Sequence, residues 1–287
     1  MRQTEMKHAS LKQAAAMVSD GAILALGGSE TARQPMALVR EIIRQGKKGL
    51  HLCGYRQGAD FDMLARSGCV ATLDAPVSAD PLHGNGVVSK PIGRAAAFVR
   101  FEAAAADLPY ALVKPEAMQQ VSDGIVAVED VFGEEASLAV RRLDPDIAII
   151  HAHAADIYGN VQMDMKFHAD FVCDLVLARA AKCVIVSVEQ IVSPQSIVGA
   201  PWKTVLPAEA VACVVEAPYG ALPTACEGRY QADEDALVKY TKASRQASMA
   251  REWFDAHIYA SGSHALYLDR LGMKHIQSLT VNQPIRA

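Results

Sequence analysis

From its N-terminus the chain alternates short apolar runs with amphipathic stretches. Ser10 is placed to cap a helix that carries Leu11, Ala14, Ala15 and Val18 on one face and stops at Asp20-Gly21. Ala22 to Leu26 reads as a short strand, broken by Gly27-Gly28. Pro35 is expected in the first turn of the next helix, where a missing N–H costs nothing. That helix puts Met36, Val39, Ile42 and Ile43 on one face and ends at Gly46. A strand Leu50 to Cys53, a helix Asp60 to Arg66 and a strand Val70 to Leu73 continue the alternation.

The middle of the chain is less regular. Arg94 to Asp107 reads as an alanine-rich helix ending before Pro109. Ile147 to Ile150, Cys183 to Val188 and Ala212 to Glu216 are compact apolar runs, the pattern of strands covered on both faces. Val172, Leu175, Val176 and Arg179 mark a helix between the first two, and from Asp233 onward the pattern is mostly helical. Strand and helix in alternation imply parallel pairing through right-handed crossovers. The expected fold class is therefore α/β, an open and mostly parallel sheet covered by helices. With no internal repeat and no linker, residues 1–287 are expected to form one elaborated domain.

Composition narrows the partners. The chain is 51% apolar, and 28 basic against 32 acidic residues leave a net charge of −4. Its cations are scattered, so no nucleic-acid partner is expected. The run nearest a membrane span, Phe171 to Val192, is interrupted by Asp174, Arg179, Lys182 and Glu189. Ala14 to Val18 is too short for the core of a signal peptide. Neither a membrane partner nor export is expected, and the location expected is cytoplasmic. Six cysteines without a Cys-x-x-Cys pair fit reduced thiols.

Three constellations could carry chemistry. Gly27-Gly28-Ser29 lies between a strand and a helix, where backbone N–H groups can turn toward an oxyanion, a carboxylate or a phosphate. The same glycines also suit a plain strand-to-helix turn. The second is His151-Ala-His153-Ala-Ala-Asp156, expected as a loop directly after the strand Ile147 to Ile150. Gly159-Asn160 would make its turn, with both histidines hydrogen-bonded. A metal on His151, His153 and Asp156 would lack an identifiable further ligand, so no metal is expected. The third is a pair of carboxylates, Glu189 and Glu216, at the carboxyl ends of two strands, where catalysis is often staged and where loops are also often held.

These residues resemble the α (A) subunit of family I CoA-transferases, of the glutaconate CoA-transferase type. The stretch Asp146-Ile-Ala-Ile-Ile-His-Ala-His-Ala-Ala-Asp-Ile-Tyr-Gly-Asn-Val161 carries the resemblance, with Ala181 to Val192, Val214 to Ala221 and Arg33 to Val39 in support. The resemblance implies a CoA-transferase-like fold that pairs with a homologous β subunit. It implies CoA transfer between an acyl-CoA and a carboxylic acid through a glutamate that belongs to the partner. Coenzyme A thioester would be substrate, with no tightly bound cofactor. Gly27 and Gly28 would form the oxyanion loop. Ser29, Glu30, Arg33, Ser78, His83 and Asn85 are the expected substrate-binding residues. The family loop often runs Gly-Gly-aromatic-Gly, whereas this chain has Gly27-Gly28-Ser29-Glu30. Related steroid ring-cleaving hydrolases carry a glutamate before the alanine-rich helix; here Pro91-Ile92 stand near that place, with Glu102 farther on. An acyl-CoA hydrolase of the same fold and a non-catalytic metabolite-binding protein are the alternatives.

Overall fold

The computed structural model describes residues 5–76, 86–115, 124–129, 136–164 and 168–281. In chain order the first half is α1 (Leu11–Ala16), β1 (Ile23–Leu26), α2 (Met36–Arg44), β2 (Leu50–Cys53), α3 (Ala59–Arg66), β3 (Val70–Asp74), β4 (Val88–Ser89) and α4 (Arg94–Ala105). Next come β5 (Tyr110–Val113), β6 (Ile125–Val128), β7 (Ser137–Arg141), β8 (Ile147–Ala155), β9 (Val161–Gln162) and α5 (His168–Ala180). The rest is β10 (Cys183–Ile191), α6 (Pro194–Gly199), β11 (Thr204–Leu206), β12 (Cys213–Glu216), α7 (Glu234–Ser244), α8 (Ala247–Phe254), α9 (His264–Leu271) and α10 (Met273–Leu279).

Seven strands pair in parallel in the order β12-β10-β8-β1-β2-β3-β4. This is the expected mostly parallel sheet. Two short strands depart from it: β9 runs antiparallel to the carboxyl end of β8, and β11 antiparallel to β9. The period of two along β1 sends its side chains to opposite faces. Leu24 and Leu26 pack with α1, α2, α3, α7 and α8, while Ala25 packs with α4 and α5. Ala96 and Ala97 on α4 are fully buried, and such small side chains let α4 lie close to α5. α2 buries Met36, Val39, Ile42 and Ile43 as its stripe predicts.

Local signals set several boundaries. Ser10 accepts the Gln13 N–H at 3.3 Å while Gln13 Oε1 takes the Ser10 N–H at 2.9 Å, a reciprocal cap that starts α1. Pro35 stands one residue before the helix rather than inside its first turn. Two expectations fall short. β8 continues to Ala155 and β10 to Ile191, so His151 and His153 are strand residues and not loop residues. The irregular middle holds a separate antiparallel sheet, β5-β7-β6. Its inner positions Val113 and Val140 pack against α4.

Candidate functional site

The loop after β1 sits at the carboxyl end of the sheet, where open α/β folds place their ligands. Gly28 has φ 83°, and a Cβ there would lie 2.4 Å from the Arg33 carbonyl oxygen, so only glycine fits. The Gly28 N–H donates to Asp174 Oδ1 at 2.7 Å, and the Gly28 carbonyl accepts from Tyr55 Oη and Arg56 Nε, both at 2.8 Å. Arg56 also donates to the Gly27 carbonyl and is held by Asp60 through two bonds of 2.8 Å. Gln34 Nε2 donates to the Glu30 carbonyl at 2.8 Å. The loop is clamped from three sides.

Its amides are largely spent by that clamping. Gly27 N–H donates to the Ile149 carbonyl, Gly28 N–H to Asp174, Ser29 N–H to the Ala32 carbonyl and Thr31 N–H to Ser29 Oγ. From 27 to 31, only the Glu30 N–H has no acceptor among the described residues. The Glu30 carboxylate is exposed and pairs with Arg94. Arg33, expected to bind substrate, is instead fully buried, with φ 55° turning its side chain inward. Its guanidinium pairs with Asp174, lies 3.2 Å from Glu227 and sits 5.3 Å from the Phe171 ring centre. Burial opposes its charge, and the two carboxylates outweigh that and raise its pKa. Ser78, His83 and Asn85 lie outside the described residues.

Beside the loop is a second network. His151 Nδ1 meets Ser187 Oγ at 2.9 Å, and its Nε2 meets Glu189 Oε1 at 2.7 Å. Glu189 also accepts from Tyr230 Oη at 2.6 Å, from Tyr219 N–H at 2.7 Å and from Gly220 N–H at 3.2 Å. Burial opposes the ionised form of Glu189, yet His151, Tyr230 and the Tyr219 amide outweigh it and lower its pKa. With its acceptor sites engaged, Glu189 holds the 219–220 turn. Glu216 accepts the Ile191 N–H at 2.9 Å. Asp156 accepts from the amides of Tyr158 and Asn160, both at 3.0 Å, so it builds a turn. Glu102 is exposed on α4.

Among the described residues, one group could hold a metal: His151, Glu189 and Cys226, with ligand atoms within 4.8 Å of one another. The His151 and Glu189 atoms are engaged with each other, and burial raises the Cys226 thiol well above its ordinary value. The chemistry of that donor set is a hydrogen-bonded network. Asp156 is not part of it.

The sequence reading missed Asp174, the Arg56–Asp60 pair and Tyr230. Asp174 had a signal, a carboxylate in the otherwise apolar run from Phe171 to Leu177. Arg56 and Asp60, four apart with Gly54 and Gly58 around them, had another. Tyr230 had none.

A family model described as coenzyme A transferase matches residues 8–217. The chain belongs to the coenzyme A transferase family. It is 30% identical to the A subunit of glutaconate CoA-transferase from Acidaminococcus fermentans, over 95% of this chain and 94% of that one. The crystal structure of that glutaconate coenzyme A-transferase superposes with a TM-score of 0.85, covering 96% of both chains. It is also 30% identical to the A subunit of 3-oxoadipate CoA-transferase from Pseudomonas knackmussii, over 84% of this chain and 89% of that one. An uncharacterized protein of Archaeoglobus fulgidus is 33% identical over 94% of this chain, which spans 63% of that relative's length. The chain is thus homologous to the A subunits of CoA-transferases. Among the described residues, no helix is long and apolar enough to cross a membrane.

Proposed function

We propose that the chain is the A subunit of a heteromeric CoA-transferase that moves CoA between an acyl-CoA and a carboxylic acid. The catalytic glutamate comes from a homologous β subunit, and residues 1–287 act as one unit in the cytoplasm. CoA thioester is substrate, and no tightly bound cofactor takes part. The observation that carries this reading is an incomplete site. The loop after β1 is held in place by hydrogen bonds and exposes Glu30 and Thr31, while Asp174, Asp60 and Glu189 are all engaged in internal hydrogen bonds.

The chemistry then divides between the chains. The partner's carboxylate attacks the thioester carbonyl and forms a mixed anhydride as CoA thiolate leaves. The thiolate attacks the glutamyl carbonyl, giving a glutamyl-CoA thioester and releasing the first acid. The acceptor acid runs the same two steps in reverse. In each tetrahedral intermediate the Glu30 N–H is the loop's available donor to the oxyanion. Gly27 and Gly28 supply the shape that puts it there, and Ser29 closes the turn by accepting the Ala32 N–H at 3.0 Å.

The test mixes acyl-CoA and an acceptor acid with this chain alone, with the reconstituted complex, and with a complex whose partner glutamate is changed to alanine. Only the intact complex should transfer CoA, and borohydride should trap the thioester on the partner. Full activity of the isolated chain, or label trapped on one of its own glutamates, would overturn the proposal. CoA release that needs no added acid would point to hydrolysis instead.

A further inference from the structure

The residue that offers the loop's free amide also carries a carboxylate. Glu30 lines a cavity of about 310 Å³ bounded by the loop after β1, the start of α3 and one side of α7. Gln34 Nε2 donates to the Glu30 carbonyl at 2.8 Å, so the backbone is held while the side chain is exposed. From the amide nitrogen to Cδ a glutamate spans about 5 Å at full stretch, so the carboxylate stays close to its own amide. An oxyanion bound by that amide therefore forms beside a negative charge. Two other carboxylates line the cavity. Asp62 is bound by Arg66 at 2.9 Å and by the Tyr240 hydroxyl, and Glu234 is exposed in the first turn of α7.

Resting on the transferase reading, we infer that Arg94 is a positioning residue: its ion pair with Glu30 neutralises the carboxylate that stands beside the oxyanion. Among the described residues, Arg94 is the one cation paired with Glu30. It opens α4, whose first turn holds no acidic residue. A cation at that end opposes the helix dipole, which favours anions there. The two side chains are 65% and 54% exposed, and pairs so exposed add little to stability. Neither α4 nor the fold as a whole gains much from Arg94, whereas the carboxylate on the loop does. The reacting thioester carbonyl is uncharged, and its negative charge appears only in the tetrahedral intermediate. The repulsion that Arg94 cancels therefore acts on kcat. Two unit charges about 7 Å apart near a protein surface interact by an amount equivalent to about 5- to 50-fold in rate.

The experiment uses the complex with its β subunit, acetyl-CoA as donor and propionate as acceptor. R94Q should lower kcat about 5- to 50-fold while the KM for acetyl-CoA stays within about twofold, and R94K should recover most of the loss. Added salt should narrow the gap between R94Q and wild type, because repulsion between exposed charges is screened. In an E30Q background, where no charge is left to cancel, R94Q should cost less than about twofold. An unchanged kcat in R94Q, an equal loss in both backgrounds, or a raised KM for acetyl-CoA with kcat unchanged would overturn the inference and leave transfer intact. Turnover of acetyl-CoA without added acid, showing the same dependence on Arg94 and Glu30, would remove the transferase reading. It would leave the role of Arg94 standing, because hydrolysis passes through the same oxyanion.

Discussion

Asp174 is the residue on which the loop after β1 depends most. Its side chain is fully buried, one oxygen taking the Gly28 N–H and the other the Arg33 guanidinium. Asp174→Ala would strand a buried cation whose other neighbour, Glu227, is partly exposed. Breaking such a pair from one side typically costs about 3–5 kcal/mol. It would also leave the Gly28 amide without an acceptor, worth about 1–3 kcal/mol in isolation. The two losses share one cavity and will not add fully, so about 3–5 kcal/mol is expected. That is a large share of a typical total of about 5–15 kcal/mol. Asp174→Asn keeps an oxygen for Gly28 and loses only the charge, so its cost should be smaller, about 1.5–3 kcal/mol. Urea unfolding of the three proteins measures both, with transfer kinetics of each complex alongside. If Asp174→Ala shifted stability by less than about 1 kcal/mol, the buried pair would not hold the loop and the reasoning would fail.

Gly28→Val should fail to fold natively, because its Cβ would meet the Arg33 carbonyl oxygen at 2.4 Å and backbone cannot yield; a native circular dichroism spectrum at wild-type yield would contradict this. Acid should destabilise the chain. Burial, aided by nearby Arg229 and Arg40 respectively, holds His153 at about 4 and His264 at about 3 against an ordinary 6.5. The unfolded chain therefore binds these protons first, and stability is complete above about pH 6.5 and lost as pH falls toward the folded values. Each histidine contributes up to about 1.4 kcal/mol per pH unit in that window. Urea midpoints at pH 7.5 and 5 should differ accordingly, less so in His153→Gln, and equal midpoints would count against it. Thiol titration should count six cysteines after unfolding without reductant, whereas in the native chain only the half-buried Cys173 and Cys183 should react readily. Fewer than six would reveal a disulfide.

What was legible in the sequence is what neighbouring residues decide together. α1 follows from Ser10 and Gln13, and the stripe of α2 follows from spacing. The alternating runs imply the parallel sheet because each buried strand must be reached from a covering helix. The extension of β8 through His151 and His153 was hidden for the opposite reason. A buried imidazole is acceptable only where distant residues meet it, and Ser187 and Glu189 stand 36 and 38 positions away. The sheet β5-β7-β6 was hidden because Tyr110, Leu112 and Val126 are apolar yet exposed, which erases the alternation that marks a half-covered strand.

The candidate site divides along the same line. That a glycine loop follows β1 could be read locally, but its use could not. Arg33 stands five residues past Gly28, which suggests an exposed cation beside a ligand. Its left-handed backbone sends it instead to Asp174, 141 positions away. Once that pair forms, the carboxylate also takes the Gly28 amide, and the donor left to the loop moves to Glu30. One long-range contact thus changes which backbone group is free to act. A glycine loop read from sequence alone marks a place where amides can turn outward, and only the folded environment decides which of them is left without an internal acceptor, here that of Glu30 among the described residues.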